Sequence, residues 1–346
     1  MCNIAGYVGT KDAAPILIEM LKRQEGLAGG FYTGIATICD GKLYYAKLTG
    51  DTERLVSFTN ASKLPGNIGI IHSRSNSGGG DEWSHPFVGM KNNEPSLAYV
   101  ANGIAGGFDK SNHNEIIAML IGKGYDMNAH LTNVQKGKYM DLPDGTSVHM
   151  SDVMCQLIKY YEDELGDTSR AMTEAFGTIP AEIVGLCISL ADSQNIYWSR
   201  INRPMMAGFA SHGAYLATSA LAFPDDASEP FALPANSSGC IGKDQLKITP
   251  YSKAPGVVVP MDMALRAKAF DIVKKKLSDG GSYTFKQLKN EIMHLFSGDG
   301  SYQDALLIYE ILYALYKSDL LSIKKRNVPG AIDTLEAPSF LMSLKN

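Results

Sequence analysis

The sequence has no long hydrophobic segment and no strong excess of charge of either sign. Its longest apolar stretch, Ile183–Ala191, has the length of a buried strand and falls short of the roughly 20 residues that a membrane-spanning helix needs. No basic segment followed by a long apolar stretch stands at the N-terminus, so we expect neither a secretory signal nor a membrane partner. The formal net charge of −4 over 346 residues gives no reason to expect nucleic acid or an anionic membrane as a partner.

Cysteine pairs and the common cofactor motifs are also missing. The five cysteines are odd in number, widely spaced and without a Cys-x-x-Cys pair, which excludes a disulfide framework and a structural zinc site. This usage is typical of the reducing cytoplasm, where we expect the protein. The sequence contains no P-loop, GxGxxG or HExxH motif, and we predict no cofactor and no metal.

The composition, with 45% hydrophobic and 20% charged residues, is that of a folded globular chain of about two domains. Ala13–Gln24 has the apolar spacing of a helix. Asp40-Gly41 lies between two strand-like runs and predicts a hairpin with a type I′ turn. Because many strand candidates and few helices precede residue 260, the sequence indicates an α+β fold of stacked antiparallel sheets covered by helices.

The pattern changes after Pro260. Three helical segments are followed by a predicted hairpin with its turn near Asn327–Gly330, which is the outline of a small winged-helix-like domain. The predicted helices and hairpin lie at Met263–Leu277, from Thr284 onwards, at Gln303–Lys317 and at Leu320–Glu336. We therefore divide the chain into a domain of residues 1–260 and a C-terminal domain of residues 261–346.

The C-terminal domain has two alternative roles. Lys324-Lys325-Arg326 on the predicted hairpin is placed to contact phosphates, as in a winged helix that binds nucleic acid. However, residues 261–346 carry a net charge of only +2, far below that of a typical nucleic-acid-binding domain. We therefore favour a surface for protein contact or dimerisation and leave the oligomeric state open.

Cys2 is the most informative single residue. If Met1 is removed, Cys2 carries a thiol and a free α-amine, whose usual pKa of about 7.7–8.0 makes it a competent base near neutral pH. One residue then supplies both nucleophile and base. By residue type alone, an ordinary buried cysteine in the first strand is the simpler interpretation.

Five segments in order resemble class II glutamine amidotransferases, the family of glucosamine-6-phosphate synthase and amidophosphoribosyltransferase. The first is Met-Cys-Asn-Ile-Ala-Gly-Tyr-Val-Gly, and the similarity extends to about Val259. Five matches in the same order are specific for this family, whereas a single short match would not be. The resemblance implies a four-layer αββα sandwich of antiparallel sheets, of the N-terminal nucleophile hydrolase type. The other four segments are Leu21–Ala36, Ile68–Gly79 (IGIIHSRSNSGG), Ser84-His85-Pro86 and Val100–Ile104 (VANGI).

The resemblance also implies roles for individual residues. Cys2 matches the nucleophile, and the Asn102 side-chain amide and the Gly103 backbone N–H match the oxyanion hole. Arg74 matches the arginine that binds the α-carboxylate of glutamine, a task suited to its bidentate guanidinium. Ser77 and Gly78 fall in the loop that lines the substrate. For Asn102-Gly103 the alternative is a simple hairpin turn, and His72 and His85 are interpreted as structural or as supporting the residues that contact the substrate.

The family's aspartate that binds the α-ammonium of glutamine has no unambiguous counterpart. Ungapped alignment places Met150 at its position, whereas a two-residue shift places Asp152 there. For Asp152 the alternative is a carboxylate in the first turn of a helix, where the helix dipole favours it. If Met150 occupies the position, free glutamine is the wrong ligand, because its buried ammonium is left unpaired.

Nothing after Val259 resembles a synthase domain, so an ammonia-accepting synthase is expected on a separate subunit. The predicted substrate is glutamine or a related small amide. Two alternatives stay open: an enzyme for a different amide, and a degenerate domain used for binding or regulation. Retention of Met1 would exclude catalysis, because Cys2 would then have no free amine.

Overall fold

A computed structural model describes residues 2–104, 110–131, 140–142, 144–179, 182–296 and 303–345. Up to residue 104 the elements are β1 (Asn3–Gly9), α1 (Ala13–Lys22), α2 (Glu25–Ala28), β2 (Tyr32–Cys39), β3 (Lys42–Thr49), α3 (Thr52–Phe58), β4 (Ile68–Arg74), β5 (Phe87–Lys91) and β6 (Glu94–Ile104). Then follow α4 (Lys110–Gly122), β7 (His130–Leu131), β8 (Met140–Asp141), β9 (Ser147–Val148), α5 (Met150–Leu165), α6 (Thr168–Thr178), β10 (Glu182–Ser189), β11 (Asp192–Arg200), β12 (Met206–Ala210) and β13 (Gly213–Ala217). The remaining elements are β14 (Phe231–Ala232), β15 (Ser237–Ile241), β16 (Leu246–Pro250), α7 (Met263–Leu277), α8 (Phe285–Ile292), α9 (Gln303–Lys317), β17 (Leu321–Pro329) and β18 (Glu336–Leu344).

Two antiparallel sheets form the centre of the fold. The first has seven strands in the order β14-β12-β13-β1-β4-β2-β3, and the second has six in the order β16-β15-β11-β10-β6-β5. β1 and β4 are neighbours near the middle of the first sheet, and β6 lies beside β10 in the second. The strand that follows Cys2 is therefore held on both sides.

The two sheets pack face to face because their strands alternate apolar residues between two cores. In β1, Ile4 and Val8 face a core shared with Val100 and Trp198 of the second sheet, whereas Tyr7 faces a second core under α1. Side chains alternate faces along a strand, so a strand buried on both sides is apolar throughout. The expectation of stacked antiparallel sheets is confirmed.

Helices cover both outer faces. The helix α1 buries Leu17 and Leu21 against the first sheet, and α5 packs Leu157 against the second, beside Leu97 and Tyr99. The order is helix, sheet, sheet, helix. The four-layer architecture that the resemblance implied is therefore present.

Local signals predicted several elements correctly. Asp40 and Gly41 both have positive φ angles, 48° and 69°, as the type I′ turn between β2 and β3 requires. The helix predicted over Ala13–Gln24 ends at Lys22, and a separate short helix begins at Glu25.

The C-terminal part contains α7, α8 and α9 followed by the β17–β18 hairpin. Thr284 and Gln287 form the capping box that the sequence indicated at the start of α8. The turn expected at Asn327–Gly330 was wrong, because the strands stay paired as far as Pro329 opposite Glu336. The turn lies at residues 330–335, closed by the bond from the Gly330 N–H to the Leu335 carbonyl at 2.8 Å. The domain boundary and the winged-helix-like assignment stay predictions.

Within the described ranges, no helix has both the length and the apolar character needed to cross a membrane.

Candidate active site

Cys2 lies immediately before β1, at the edge where the neighbouring strand β4 ends. Asn3 pairs with Ser73 and Ile4 with His72 in the antiparallel register of these strands. Continuing this register by one residue brings Cys2 beside Arg74, the last residue of β4. The sheet thus brings together two of the residues that the sequence assigned to one site.

Asn102 comes to the same place from the second sheet. The backbone N–H of Cys2 donates to Asn102 Oδ1 at 3.0 Å. The Asn102 side chain is 1% exposed, and its Nδ2 has no hydrogen-bond partner among the described residues. A buried amide donor without a partner costs free energy unless something binds it. This donor is therefore available to an oxygen bound beside Cys2.

The thiol of Cys2 is half-buried, with its Sγ 3.8 Å from the Oγ of Ser75. Burial by itself raises the pKa of the thiol, but His72, the N-terminal charge and a backbone hydrogen bond at Ser75 together lower it, from 9.0 to about 6. A thiolate is the nucleophilic form of cysteine. The surroundings of Cys2 therefore favour its reactive form.

His72 supports Cys2 from beneath, which agrees with the supporting or structural role expected from the sequence. It is fully buried in β4, and its Nε2–H donates to the Ala101 carbonyl at 2.9 Å. Its ring stacks on His85 with a centroid distance of 3.8 Å. Because a carbonyl can only accept, this bond sets the orientation of the ring. His72 thus links the two sheets beneath Cys2 and lowers the pKa of its thiol.

Arg74 is 2% exposed and held from two sides. Its guanidinium carbon lies 4.0 Å from the centroid of the Tyr32 ring, and its Nη2 donates to the Gly78 carbonyl. Gly78 has a φ of +87°, which other residues rarely adopt, and Ser77 Oγ donates to the Ser75 carbonyl at 3.4 Å. The polar loop therefore folds back over the arginine. Tyr32 was not identified from the sequence, since no motif marks it.

Gly103 follows Asn102 within β6, with its position exposed. The alternative of a hairpin turn at Asn102-Gly103 was wrong, because β6 continues to Ile104 and Gly103 pairs with Ile183 of β10. The role of the Gly103 N–H in an oxyanion hole stays a prediction.

Asp152 is fully buried in the first turn of α5, and its oxygens are engaged by its surroundings. Its Oδ2 accepts from the backbone N–H groups of Asn128 and Ala129 at 2.7 and 2.8 Å, and its Oδ1 accepts from Gln156 Nε2 at 3.0 Å. Burial raises the pKa of Asp152. These bonds hold a loop and do not join Asp152 to Cys2, so its role toward an ammonium stays a prediction. Met150 is the first residue of α5 and is half-buried against the core between α5 and the second sheet.

Replacing Asp152 with alanine is expected to lower the free energy of unfolding by about 2–4 kcal/mol, because two buried N–H groups lose their acceptor. Chemical denaturation would measure this, with Glu164→Ala on the exposed face of the same helix expected to change it by about 0.5 kcal/mol or less. Unchanged stability together with a raised KM for glutamine would contradict the loop-holding role and favour ammonium binding.

Selective alkylation tests the lowered pKa of Cys2. Cys39 and Cys240 are also half-buried, but burial raises the pKa of both. At pH 7 we expect iodoacetamide to modify Cys2 about fivefold faster than Cys39 or Cys240. The reason is that the greater thiolate fraction of Cys2 outweighs the lower reactivity of a low-pKa thiolate. The rate at Cys2 should rise with pH through about 6 and then level off. Peptide mapping gives the rates, and equal modification of the three cysteines at pH 7 would contradict the assignment.

In the part of the chain that the structure describes, no group of three or more His, Cys, Asp or Glu side chains is placed to hold a metal ion.

Taken together, the chain folds as a two-sheet αββα sandwich that places Cys2 beside the buried amide of Asn102. The chain resembles class II glutamine amidotransferases, as its sequence motifs indicated.

Three curated proteins named glutamine–fructose-6-phosphate aminotransferase (isomerizing) are similar in sequence. The protein from Pyrococcus horikoshii is 25% identical over 250 residues, which cover 72% of this chain and 37% of the relative. The protein from Leifsonia xyli is 28% identical over 280 residues, 78% of this chain and 40% of the relative. The protein from Clostridium perfringens is 37% identical over 131 residues, 37% of this chain and 20% of the relative. The chain thus spans well under half the length of these relatives, and no protein-family model matches it.

Two solved structures share the fold. The glutamine phosphoribosylpyrophosphate amidotransferase of B. subtilis superposes with a TM-score of 0.57 at 18% identity, over 80% of this chain and 58% of that one. A structure described as the allosteric regulatory enzyme of purine biosynthesis superposes with a TM-score of 0.58 at 17% identity, over 90% of this chain and 63% of that one. At this level of identity the similarity establishes the fold alone.

Proposed function

We propose that this chain hydrolyses the side-chain amide of glutamine, releasing ammonia, with Cys2 as the nucleophile once Met1 has been removed. The observation that carries the proposal is the bond from the Cys2 N–H to Asn102 Oδ1, which brings a thiol with a lowered pKa close to a buried Nδ2 that has no hydrogen-bond partner among the described residues. A nucleophile beside a preorganised donor is the arrangement that acyl transfer requires.

In the proposed reaction the Cys2 thiolate attacks the amide carbon, and the C=O π pair moves to the oxygen. Asn102 Nδ2–H, with the Gly103 N–H, stabilises this oxyanion. As the C–N bond breaks, the protonated α-amine of Cys2 gives a proton to the nitrogen, which leaves as ammonia. Water then attacks the thioester, the α-amine accepts its proton, and the C–S bond breaks. This restores the Cys2 thiolate and the protonated α-amine and releases the side-chain carboxylic acid, which loses its proton to the solvent to give glutamate. In this structure the nitrogen of Cys2 lies 3.0 Å from Asn102 Oδ1, which would hold the freed amine in place.

Arg74 is proposed to bind the α-carboxylate of the substrate, with Ser77 and Gly78 lining the same pocket. The support is that Arg74 lies at the end of the strand next to Cys2 and is almost fully buried. A guanidinium suits a carboxylate because it donates two parallel hydrogen bonds.

A second candidate substrate is an amide without an α-ammonium group. It is favoured by the engagement of both Asp152 oxygens in bonds to the 128–129 backbone and to Gln156. A free glutamine would need one of these oxygens for its ammonium, or another acceptor in its place.

The proposal extends to the fate of the ammonia, which we assign to a synthase on another chain. The support is the similarity to relatives named glutamine–fructose-6-phosphate aminotransferase, of which this chain covers 37% in the protein from Pyrococcus horikoshii and 40% in that from Leifsonia xyli. Cytoplasmic location and the absence of a cofactor remain part of the proposal.

The decisive experiment measures ammonia and glutamate release by the full chain, with the loss of Met1 verified by intact-protein mass spectrometry. Glutamine and a glutamine analogue that lacks the α-amine are compared as substrates. Turnover of glutamine supports the proposal, and turnover of the analogue alone favours the second candidate. Retention of Met1 in the purified protein, or no release from either compound, would contradict catalysis.

A further inference from the structure

Gln24 lies in the turn between α1 and α2 and is fully buried. Its side-chain Nε2 donates to the carbonyl of Ile4 at 3.1 Å, and its Oε1 accepts from the backbone N–H of Ser219 at 3.2 Å. The backbone carbonyl of Gln24 accepts from the Nδ2 of Asn3 at 2.7 Å. One residue therefore joins the two residues that follow Cys2 to a distant segment of the chain.

These bonds take over from strand pairing at the start of β1. On one side, β1 pairs with β13 only from Ala5 onwards, three residues after Cys2. The Ile4 N–H donates to the Thr218 Oγ1 at 2.9 Å, and the Ile4 carbonyl accepts from the Thr218 N–H at 3.0 Å as well as from Gln24. On this side, Gln24 and Thr218 therefore hold the backbone that leads into Cys2.

The segment from Cys2 to Ile4 determines where the nucleophile lies relative to the second sheet. The Cys2 N–H donates to Asn102 Oδ1 at 3.0 Å, so the first sheet meets the proposed oxyanion donor at this residue. Catalytic groups need to be held to within about 0.5 Å, and a shift of about 1 Å can lower a rate about 100-fold. A buried glutamine with both ends of its amide bonded suits this task, because its hydrogen bonds fix distance and direction, whereas an apolar side chain would only fill the space.

We propose that Gln24 is a positioning residue for the nucleophile, which it holds beside Asn102 through its bonds to Asn3 and Ile4. This inference rests on the proposed function and adds a residue that acts through the β1 backbone and not by touching the substrate. Because Gln24 acts on the position of Cys2, it affects the chemical step and the reactivity of the thiol more than the binding of the amide.

Gln24→Met in the full chain tests the inference, because methionine has nearly the same length and cannot make the two amide bonds. We expect kcat for glutamine hydrolysis to fall about tenfold and KM to change less than about twofold. The midpoint of the pH profile of Cys2 alkylation by iodoacetamide should rise above about 6, because the thiol is no longer fixed beside His72. Steady-state kinetics and peptide mapping measure these effects.

Asn67→Ala is the matched control, because the Asn67 Nδ2 donates to the Gly9 carbonyl at the opposite end of β1, at 2.7 Å. Both variants remove an amide that binds a β1 carbonyl, so both are expected to lower the melting temperature. Only Gln24→Met should change kcat and the alkylation midpoint. If Gln24→Met does not fold, Asn3→Ala takes its place, since it removes the bond to the Gln24 carbonyl and should shift both quantities in the same direction by less.

The outcomes separate this inference from the proposed function. A folded Gln24→Met variant with the kcat and the alkylation midpoint of the wild type overturns the inference alone. Equal losses of kcat in Gln24→Met and Asn67→Ala, with unchanged midpoints, overturn it as well, since the effect would then follow stability. A wild type that releases no ammonia with Met1 removed overturns the proposed function, and the alkylation midpoint of Gln24→Met then decides whether this residue positions the thiol.

Discussion

Replacing Cys2 with alanine is expected to abolish ammonia release from glutamine, lowering the rate by roughly 10⁴-fold or more. The reason is that the proposed reaction passes through a thioester, for which alanine offers no nucleophile. Folding should be retained, because Cys2 is only half-buried and the contact of its sulfur with Ser75 Oγ is weak, at 3.8 Å. A coupled glutamate assay and thermal denaturation measure the two effects.

Cys240→Ala is the matched control, since Cys240 is also half-buried but lies on β15, where burial raises the pKa of its thiol. It should leave the activity unchanged. Equal rates for wild type and Cys2→Ala would assign any hydrolysis to another group. No activity in either protein, with Met1 removed, would favour a domain used for binding.

Much of the sheet framework could be predicted from the sequence, because local rules determine it. The Asp40-Gly41 turn and the apolar runs of β1 and β4 follow from backbone preference and from burial on both faces. The end of the C-terminal hairpin could not be predicted in this way. The turn was expected near Asn327–Gly330, but a proline is tolerated at the end of a two-stranded ribbon, and Pro329 stays paired with Glu336.

The candidate site was predictable only where motifs carry it. Asn102 and Arg74 come from matched segments, and the structure brings Asn102 into contact with Cys2 and places Arg74 beside it. The contact between the Tyr32 ring and Arg74 depends on the register of two strands from distant segments. No local pattern encodes such contacts. The bonds from the backbone N–H groups of residues 128 and 129 to Asp152 also join separate segments and have no local sequence pattern.

Substitutions at Asn102 are expected to have the second largest effect on activity. Asn102→Ala removes the only side-chain donor that the proposal assigns to the oxyanion, and loss of one such donor typically lowers kcat by about 10²–10³-fold. KM should change far less, because the oxyanion exists only in the transition state and the intermediate. Steady-state kinetics with glutamine measure both constants.

Asn102→Asp separates the role of the amide oxygen of this side chain from that of its amide nitrogen. The carboxylate keeps an oxygen to accept from the Cys2 nitrogen, now 3.0 Å from Oδ1, but it replaces the buried Nδ2 donor with negative charge. If the donor stabilises the oxyanion, the aspartate variant should be at least as impaired as the alanine variant. The impairment of the aspartate variant should persist at pH 8.5. The added carboxylate is expected to raise the pKa of the Cys2 thiol, and at this pH a raised pKa no longer limits the rate. If Asn102 serves only to hold the nitrogen of Cys2, the aspartate variant should retain most of the activity, and the oxyanion role would be excluded.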